Sequence, residues 1–292
     1  MEEYLVSKIF GISPPKSKVL INSVTRNGVH LVGSVLEIIG MTYGNYGFIK
    51  RKKVQLNFRT SQHPSNYFVR WAKEKAPISI GSPRMVRLKL IERLCAKIKD
   101  SEFLISHIPY SHAMEMLLKD LEWKNIVIVR DPRDQCASVL HKLKIKKNNP
   151  ASFYLYEQLK TDSDRIKALI DGYDGLHNTR GMVSLETMYK SVMAWKGKGN
   201  FIFVKFEDLI GPKGGGTLER QKTTIVQILK HLEYEHYDND EIVEWIGNHC
   251  FGMTNSFWKG QAGNWKSVFD KEISDIFKNN IVDLLDQLGY DV

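Results

Sequence analysis

Short continuous apolar runs at residues 19–24 (VLINSV), 103–107 (FLISH), 125–130 (NIVIVR) and 201–207 (FIFVKFE) set the frame for this chain. Each lacks the polar alternation of a half-exposed strand, and each is rich enough in β-branched and aromatic residues to suit a strand covered on both faces. Between them, apolar residues recur at helical spacing over 29–39, 86–99, 113–121, 133–144, 185–196, 218–232, 240–248 and 271–288. Strands alternating with helices predict an α/β fold, a three-layer parallel sheet whose ligands sit beyond the carboxyl ends of its strands.

A chain of 292 residues built on one such sheet is read as a single domain, 1–292. Residues 43–83 and 144–181 have no clear period and are rich in Lys, Asn, Gly and Asp, so they are expected to be insertions that shape an acceptor pocket or a lid. Residues 211–216 (GPKGGG) read as a flexible connection after the last strand. The three cysteines, Cys95, Cys136 and Cys250, form no C-x-x-C pair, which fits a reducing compartment. With no signal-like start and no apolar stretch of spanning length, a cytoplasmic protein without a membrane partner is expected.

Lys and Arg outnumber Asp and Glu by 42 to 33, a net charge of +9, which favours anionic ligands without choosing among them. The choice comes from where the basic residues fall. After the first run, Thr25-Arg26-Asn27-Gly28-Val29-His30-Leu31 leads into a helix, placing backbone N–H groups, a helix N-terminus and an arginine where an anion can sit. The third run ends in Arg130, followed by Asp131-Pro132-Arg133-Asp134 and then Ser138. Asp131 and Pro132 suit a helix cap and first turn, and an arginine with a hydroxyl suits a terminal phosphate. A late segment, Trp258-Lys259-Gly260-Gln261-Ala262-Gly263-Asn264-Trp265-Lys266, combines glycines for close backbone approach with lysines and aromatic faces. His107 stands at the carboxyl end of an apolar run, where an imidazole reaches the expected cleft.

In this order and spacing, the segments resemble the sulfotransferases of the cytosolic type, which use 3′-phosphoadenosine 5′-phosphosulfate (PAPS). That family's first loop, P-K-S-G-T followed by T-W or H-L, aligns without a gap on Thr25, Arg26, Asn27, Gly28, Val29, His30 and Leu31, which the resemblance assigns to the 5′-phosphosulfate. Its R-N-P-R-D-like stretch with a serine eight residues after the first arginine matches Arg130 and Ser138, implying a 3′-phosphate site. Its R-K-G-x-x-G-D-W-K motif matches Lys259, Gly260, Gly263, Trp265 and Lys266, with Trp258 in place of the arginine. Phe206 and Phe251 fall at donor-site positions, Phe251 in place of an aromatic that packs on adenine. The family's K-T-H-L-P segment corresponds to 105–109, which makes His107 the implied base.

The resemblance further implies a P-loop-like strand-loop-helix, PAPS as donor with 3′,5′-adenosine bisphosphate (PAP) as product, no metal, and a small-molecule acceptor. It also admits a homodimer. Arg26 replaces the usual loop lysine, Ile105 the lysine of the base segment and Leu31 a stacking tryptophan. The G-x-H-L form of the first loop looks like that of bacterial sulfotransferases that tailor secondary metabolites, including toxins. A small-molecule kinase is the rival reading, and it lacks G-x-x-x-x-G-K-[ST]. No nucleic-acid-binding module stands out, so no nucleic-acid partner is expected.

Overall fold

A computed structural model describes residues 5–44, 74–146, 150–175, 181–252 and 260–291. The chain enters through α1 (Val6–Phe10), β1 (Val19–Asn22), α2 (Val29–Ile38) and the two-residue β2 (Thr42–Tyr43). A hairpin of β3 (Lys75–Ile78) and β4 (Arg84–Arg87) leads to α3 (Leu88–Cys95), β5 (Glu102–Ser106), α4 (His112–Asp120), β6 (Lys124–Val129) and α5 (Pro132–Ile145). Then come α6 (Pro150–Phe153), a π-turn (Tyr154–Gln158), α7 (Asp162–Asp171), α8 (Leu185–Met193), β7 (Phe201–Lys205) and α9 (Phe206–Leu209). The remaining helices are α10 (Leu218–His231), α11 (Asp240–His249), α12 (Trp265–Val268) and α13 (Lys271–Leu288).

The expected sheet is present. Its order is β2-β5-β1-β6-β7, and every pairing is parallel. β1 lies between β5 and β6, so the chain winds outward to β2 on one side and later to β7 on the other. This reversal opens a crevice at the carboxyl ends of β1 and β6, the usual ligand position of such sheets. Strand side chains alternate between two cores. Leu20, Leu104, Val127 and Val129 face the layer that includes α4, α5, α7, α8 and α13, while Val19, Ile21, Ile126 and Ile128 face α2, α10 and α11. Burying each such side chain stabilises the fold by roughly 1.5–3 kcal/mol, which explains the continuous apolar strands.

Several elements depart from the sequence reading. Residues 86 and 87, expected to begin a helix, instead belong to β4, because pairing with β3 buries Ala76 and Ile78 beneath it; α3 starts only at Leu88. The run at 201–207 is strand only to Lys205, after which Phe206 opens α9. The aperiodic stretch 144–181 contains α6, the π-turn and α7, in which Ile166, Leu169 and Ile170 make a short buried face among charged neighbours. Most of the other expected insertion, 43–83, lies outside the described residues, as do Trp258 and Lys259. Asp131 caps α5 by accepting the Arg133 N–H, and Pro132 occupies the first turn, as the sequence suggests.

His231 closes α10, half-buried against the amino ends of β6 and β7, with no partner for its Nε2. Burial, then the neighbouring Lys124 charge, pulls its pKa down to about 4. In the unfolded chain an imidazole titrates near ~6.5, so folding favours the neutral ring. This contribution is complete above about pH 6.5 and is lost as pH falls toward about 4. Thermal melts of His231→Gln are expected to show a shallower fall in midpoint between pH 7 and pH 5 than the wild type, whatever the variant's absolute stability.

Candidate functional site

The turn from β1 to α2 departs sharply from ordinary backbone geometry. Arg26 has φ 72° and Gly28 has φ 97°, a pair of left-handed residues that turns the chain abruptly into α2. For Arg26 that conformation costs on the order of 1–3 kcal/mol. At Gly28 even an alanine would not fit, because a Cβ would stand 2.5 Å from Cδ2 of Phe206. No side chain caps α2, and although the Leu31 N–H is taken by the Gly28 carbonyl at 2.8 Å, the N–H groups of Val29 and His30 have no backbone acceptor, so they can meet an anion with the helix dipole behind them. The alkyl side chains of Val29 and Leu31 are buried in the core beneath, which leaves their backbone as the part that faces the turn. Thr25 and His30 are exposed.

The second motif meets the first across the crevice. Arg26 Nε donates to Ser138 Oγ at 3.0 Å. Burial lowers the Arg26 pKa, and the positive charge of Arg130 lowers it further. Arg130 is 8% exposed and lies over the Phe206 ring, 4.2 Å from its centroid. Its NH2 donates to the Gln261 carbonyl at 2.9 Å and lies 3.6 Å from Asp134, while its Nε is buried without a partner. Asn27 is fully buried, and its Nδ2 likewise has none. Phe206 thus forms a floor under Gly28 and Arg130 together.

Side chains outside the motifs' matched positions hold this arrangement. Gln135 Nε2 donates to the Thr25 carbonyl at 3.0 Å, tying the first loop to α5. The Tyr189 hydroxyl donates to the Arg130 carbonyl at 2.8 Å and lies 3.2 Å from Asn27 Oδ1. Asp134 accepts the N–H groups of Gly263 and Trp265, both at 2.8 Å, and so positions the late segment; burial raises its pKa, and Arg130 opposes that shift. Glu207 accepts from the Asp131 N–H at 2.9 Å and from the Tyr290 hydroxyl at 2.8 Å, linking the end of β6 to the C-terminal residues. The glycine-rich 211–216 turn does more than connect. Ala262 N–H donates to Gly214 O at 2.8 Å, and a Cβ at Gly214 would stand 2.6 Å from the Gly260 carbonyl, so its bare backbone is the seat of the late segment. Gly260 and Gly263 both have positive φ. Phe251 is half-buried against the α2–α10–α11 core.

His107 lies just past the end of β5, half-buried. Its Nδ1 is 2.7 Å from the Ser23 carbonyl, which requires the Nδ1–H tautomer and leaves the lone pair on Nε2. Burial lowers its pKa, the Ser23 hydrogen bond opposes this, and His30 lowers it further. The ring is therefore neutral at neutral pH and able to accept a proton. The His30 pKa is lowered as well, by partial desolvation of its ring where it sits among neighbouring groups, although the residue is exposed overall, and then by the Arg26 charge. Among the described residues no group of three or more His, Cys, Asp and Glu side chains is placed to hold a metal ion. No described helix is long and apolar enough to cross a membrane.

Arginines, an uncapped helix N-terminus and a neutral imidazole are thus gathered at the switch point of a parallel sheet, a site suited to an anionic ligand. The chain belongs to the sulfotransferase domain family, whose pattern matches residues 16–289. Its fold is similar to that of mouse sulfotransferase SULT7A1 solved with PAP, at 15% identity over 97% of this chain and 89% of that chain, with a TM-score of 0.56. Retinol dehydratase, solved with retinol and PAP, aligns at 18% identity over 98% of this chain and 85% of its own, with a TM-score of 0.49. No curated protein matches the chain by sequence.

Proposed function

We propose that this sulfotransferase moves a sulfuryl group from PAPS to a hydroxyl or amine of a small molecule, with His107 as general base. The observation that carries the reading is the pair Arg26 and Arg130, two guanidiniums drawn out of water against each other beside Ser138. Asp134 balances part of that charge at Arg130, and an anion bound between the two guanidiniums offsets their repulsion further. The unpartnered Arg130 Nε and Asn27 Nδ2 fit a phosphorylated donor as well, since each is a buried hydrogen-bond donor awaiting an acceptor.

When bound, the donor supplies an activated sulfuryl group and a phosphate leaving group. The chain supplies placement and charge. Arg26 and the first N–H groups of α2 are suited to neutralise the transferring group and the leaving phosphate. Arg130 and Ser138 are suited to hold the 3′-phosphate, and the resemblance adds Lys259 and Gly260. Nε2 of His107 takes the acceptor proton. An arginine at position 26 stays charged at every working pH, so it stabilises the leaving phosphate without donating a proton to it. The G-x-H-L form of the first loop supports a secondary metabolite, such as a polyketide or an alkaloid, as acceptor, and a panel of such compounds with labelled PAPS tests that choice.

PAP is expected to bind the folded protein and, at about 100 times its Kd, to stabilise it by roughly 2.7 kcal/mol. ATP with magnesium is expected to do so far less. Arg130→Ala is expected to weaken PAP binding by about 1.5–3 kcal/mol in calorimetry, the scale of a charged hydrogen bond. No PAP binding by the wild type, or preference for ATP with magnesium, removes the donor assignment.

His107→Asn is expected to lower kcat by about 10²–10⁴-fold with PAP binding retained. The wild-type rate is expected to be level above the ordinary imidazole pKa and to fall at lower pH, because the His107 pKa is lowered and the base is lost only on protonation. That acid limb is expected to disappear in the variant; an unchanged kcat and profile would show that another group takes the proton.

A further inference from the structure

The end of β1 does more than begin the anion-binding turn. Asn22 is its last residue and is fully buried, an unusual place for an amide in an otherwise apolar strand. In the β1–β5 register Asn22 stands opposite Ser106, where the parallel ladder stops. The Asn22 side chain continues it. Oδ1 accepts the Ile108 N–H at 2.8 Å and Nδ2 donates to the Ile108 carbonyl at 2.9 Å, so both backbone groups of the residue after His107 are gripped by one amide. Trp195 Nε1 adds a second donor to the same carbonyl at 3.2 Å, and the Ile80 N–H donates to the His107 carbonyl at 2.9 Å.

The ring of His107 is set from the neighbouring residue. Its Nδ1 donates to the Ser23 carbonyl, and the Ser23 hydroxyl in turn donates to the Ile128 carbonyl of β6. The end of β1 therefore fixes the backbone of His107 through Asn22 and its tautomer through Ser23. An ordinary apolar side chain at position 22 would leave the N–H of Ile108 buried and unpaired and would let the 107–109 segment leave its register.

We propose that Asn22 is a positioning residue for the reaction: its amide extends the β1–β5 ladder by side chain and holds the segment that aims His107 Nε2 into the crevice. The inference rests on the assignment of His107 as base. The amide itself does not touch the donor, because it is fully buried and both its oxygen and its nitrogen are engaged by Ile108. A misplacement of the base of about 1 Å is enough to cost on the order of 10²-fold in rate.

The test is nitrogen-detected NMR of ¹⁵N-histidine-labelled full-length protein, read with and without PAP, on wild type, Asn22→Ala and Asn22→Ser. The serine is too short to reach Ile108 directly but keeps a polar group that water can bridge to it, and so supplies a second variant if the alanine does not fold. The wild-type His107 signal is expected to show the Nδ1–H tautomer and to titrate below free imidazole, with His30 as its titrating neighbour. In the variants it is expected to lose that tautomer preference and move toward free imidazole, while the PAP-induced rise in melting temperature stays within error of wild type. Turnover is expected to fall by about 10–100-fold, with the loss carried by kcat. An unchanged His107 tautomer and titration in a folded Asn22 variant would overturn the proposal, as would a PAP shift lost in parallel with turnover, which is the mark of a general structural role. If His107→Asn keeps full activity while the Asn22 variants still free the ring, the base assignment has failed and the clamp has not.

Discussion

Mutual repulsion between Arg26 and Arg130 is the constraint around which the rest of the site is arranged. Two guanidiniums withdrawn from water beside each other cost free energy in the unliganded protein, and burial and proximity both act to lower the Arg26 pKa. Arg130 is held from below by Phe206, from the side by Asp134 and Gln261, and through its backbone by Tyr189. Arg26 is held in a strained left-handed conformation and reaches Ser138. An arrangement that costs stability while gathering positive charge at the carboxyl ends of parallel strands makes sense when an anion completes it. The identity of that anion follows from the family and from the spacing of the two arginines' motifs.

The same packing carries the acceptor side. β1 sits between the strand that ends in His107 and the strand that ends in Arg130, so a single turn contacts both halves of the chemistry. Ser23 illustrates this, with its hydroxyl toward β6 and its carbonyl toward His107. His107 and the two arginines are thus fixed relative to each other by adjacent strands, the condition that the proposed in-line transfer requires.

Much of this was legible in the sequence because it is local. Apolar runs announce strands buried on both faces, and Arg130 and His107 follow strand ends while Arg26 and Ser138 lie in the turn and the helix that come after β1 and β6, where position implies access to the crevice. Boundaries were less legible, since β4 and the end of β7 depend on partners that no short window contains. The supporting polar residues were hidden for the same reason. Tyr189 meets Asn27 across 162 positions, Gln135 meets Thr25 across 110 and Asn22 meets Ile108 across 86. Only a hydrophilic residue inside a buried run, such as Asn22 within VLINSV, hinted at such a partner. The glycine-rich turn was misread as a plain connection because its role, accepting the late segment against bare backbone, is set by close approach and leaves no local pattern.

The central claim, that the arginine pair is held at a cost for an anion, is tested most directly by comparing Arg26→Met with wild type in thermal melts, ligand-free and at saturating PAP. Methionine keeps the unbranched stem as far as Nε and removes the charged guanidinium. The account predicts that the ligand-free variant melts at or above the wild-type temperature and that its gain on adding PAP is clearly smaller. A ligand-free variant that melts well below wild type, with an undiminished gain from PAP, would contradict it.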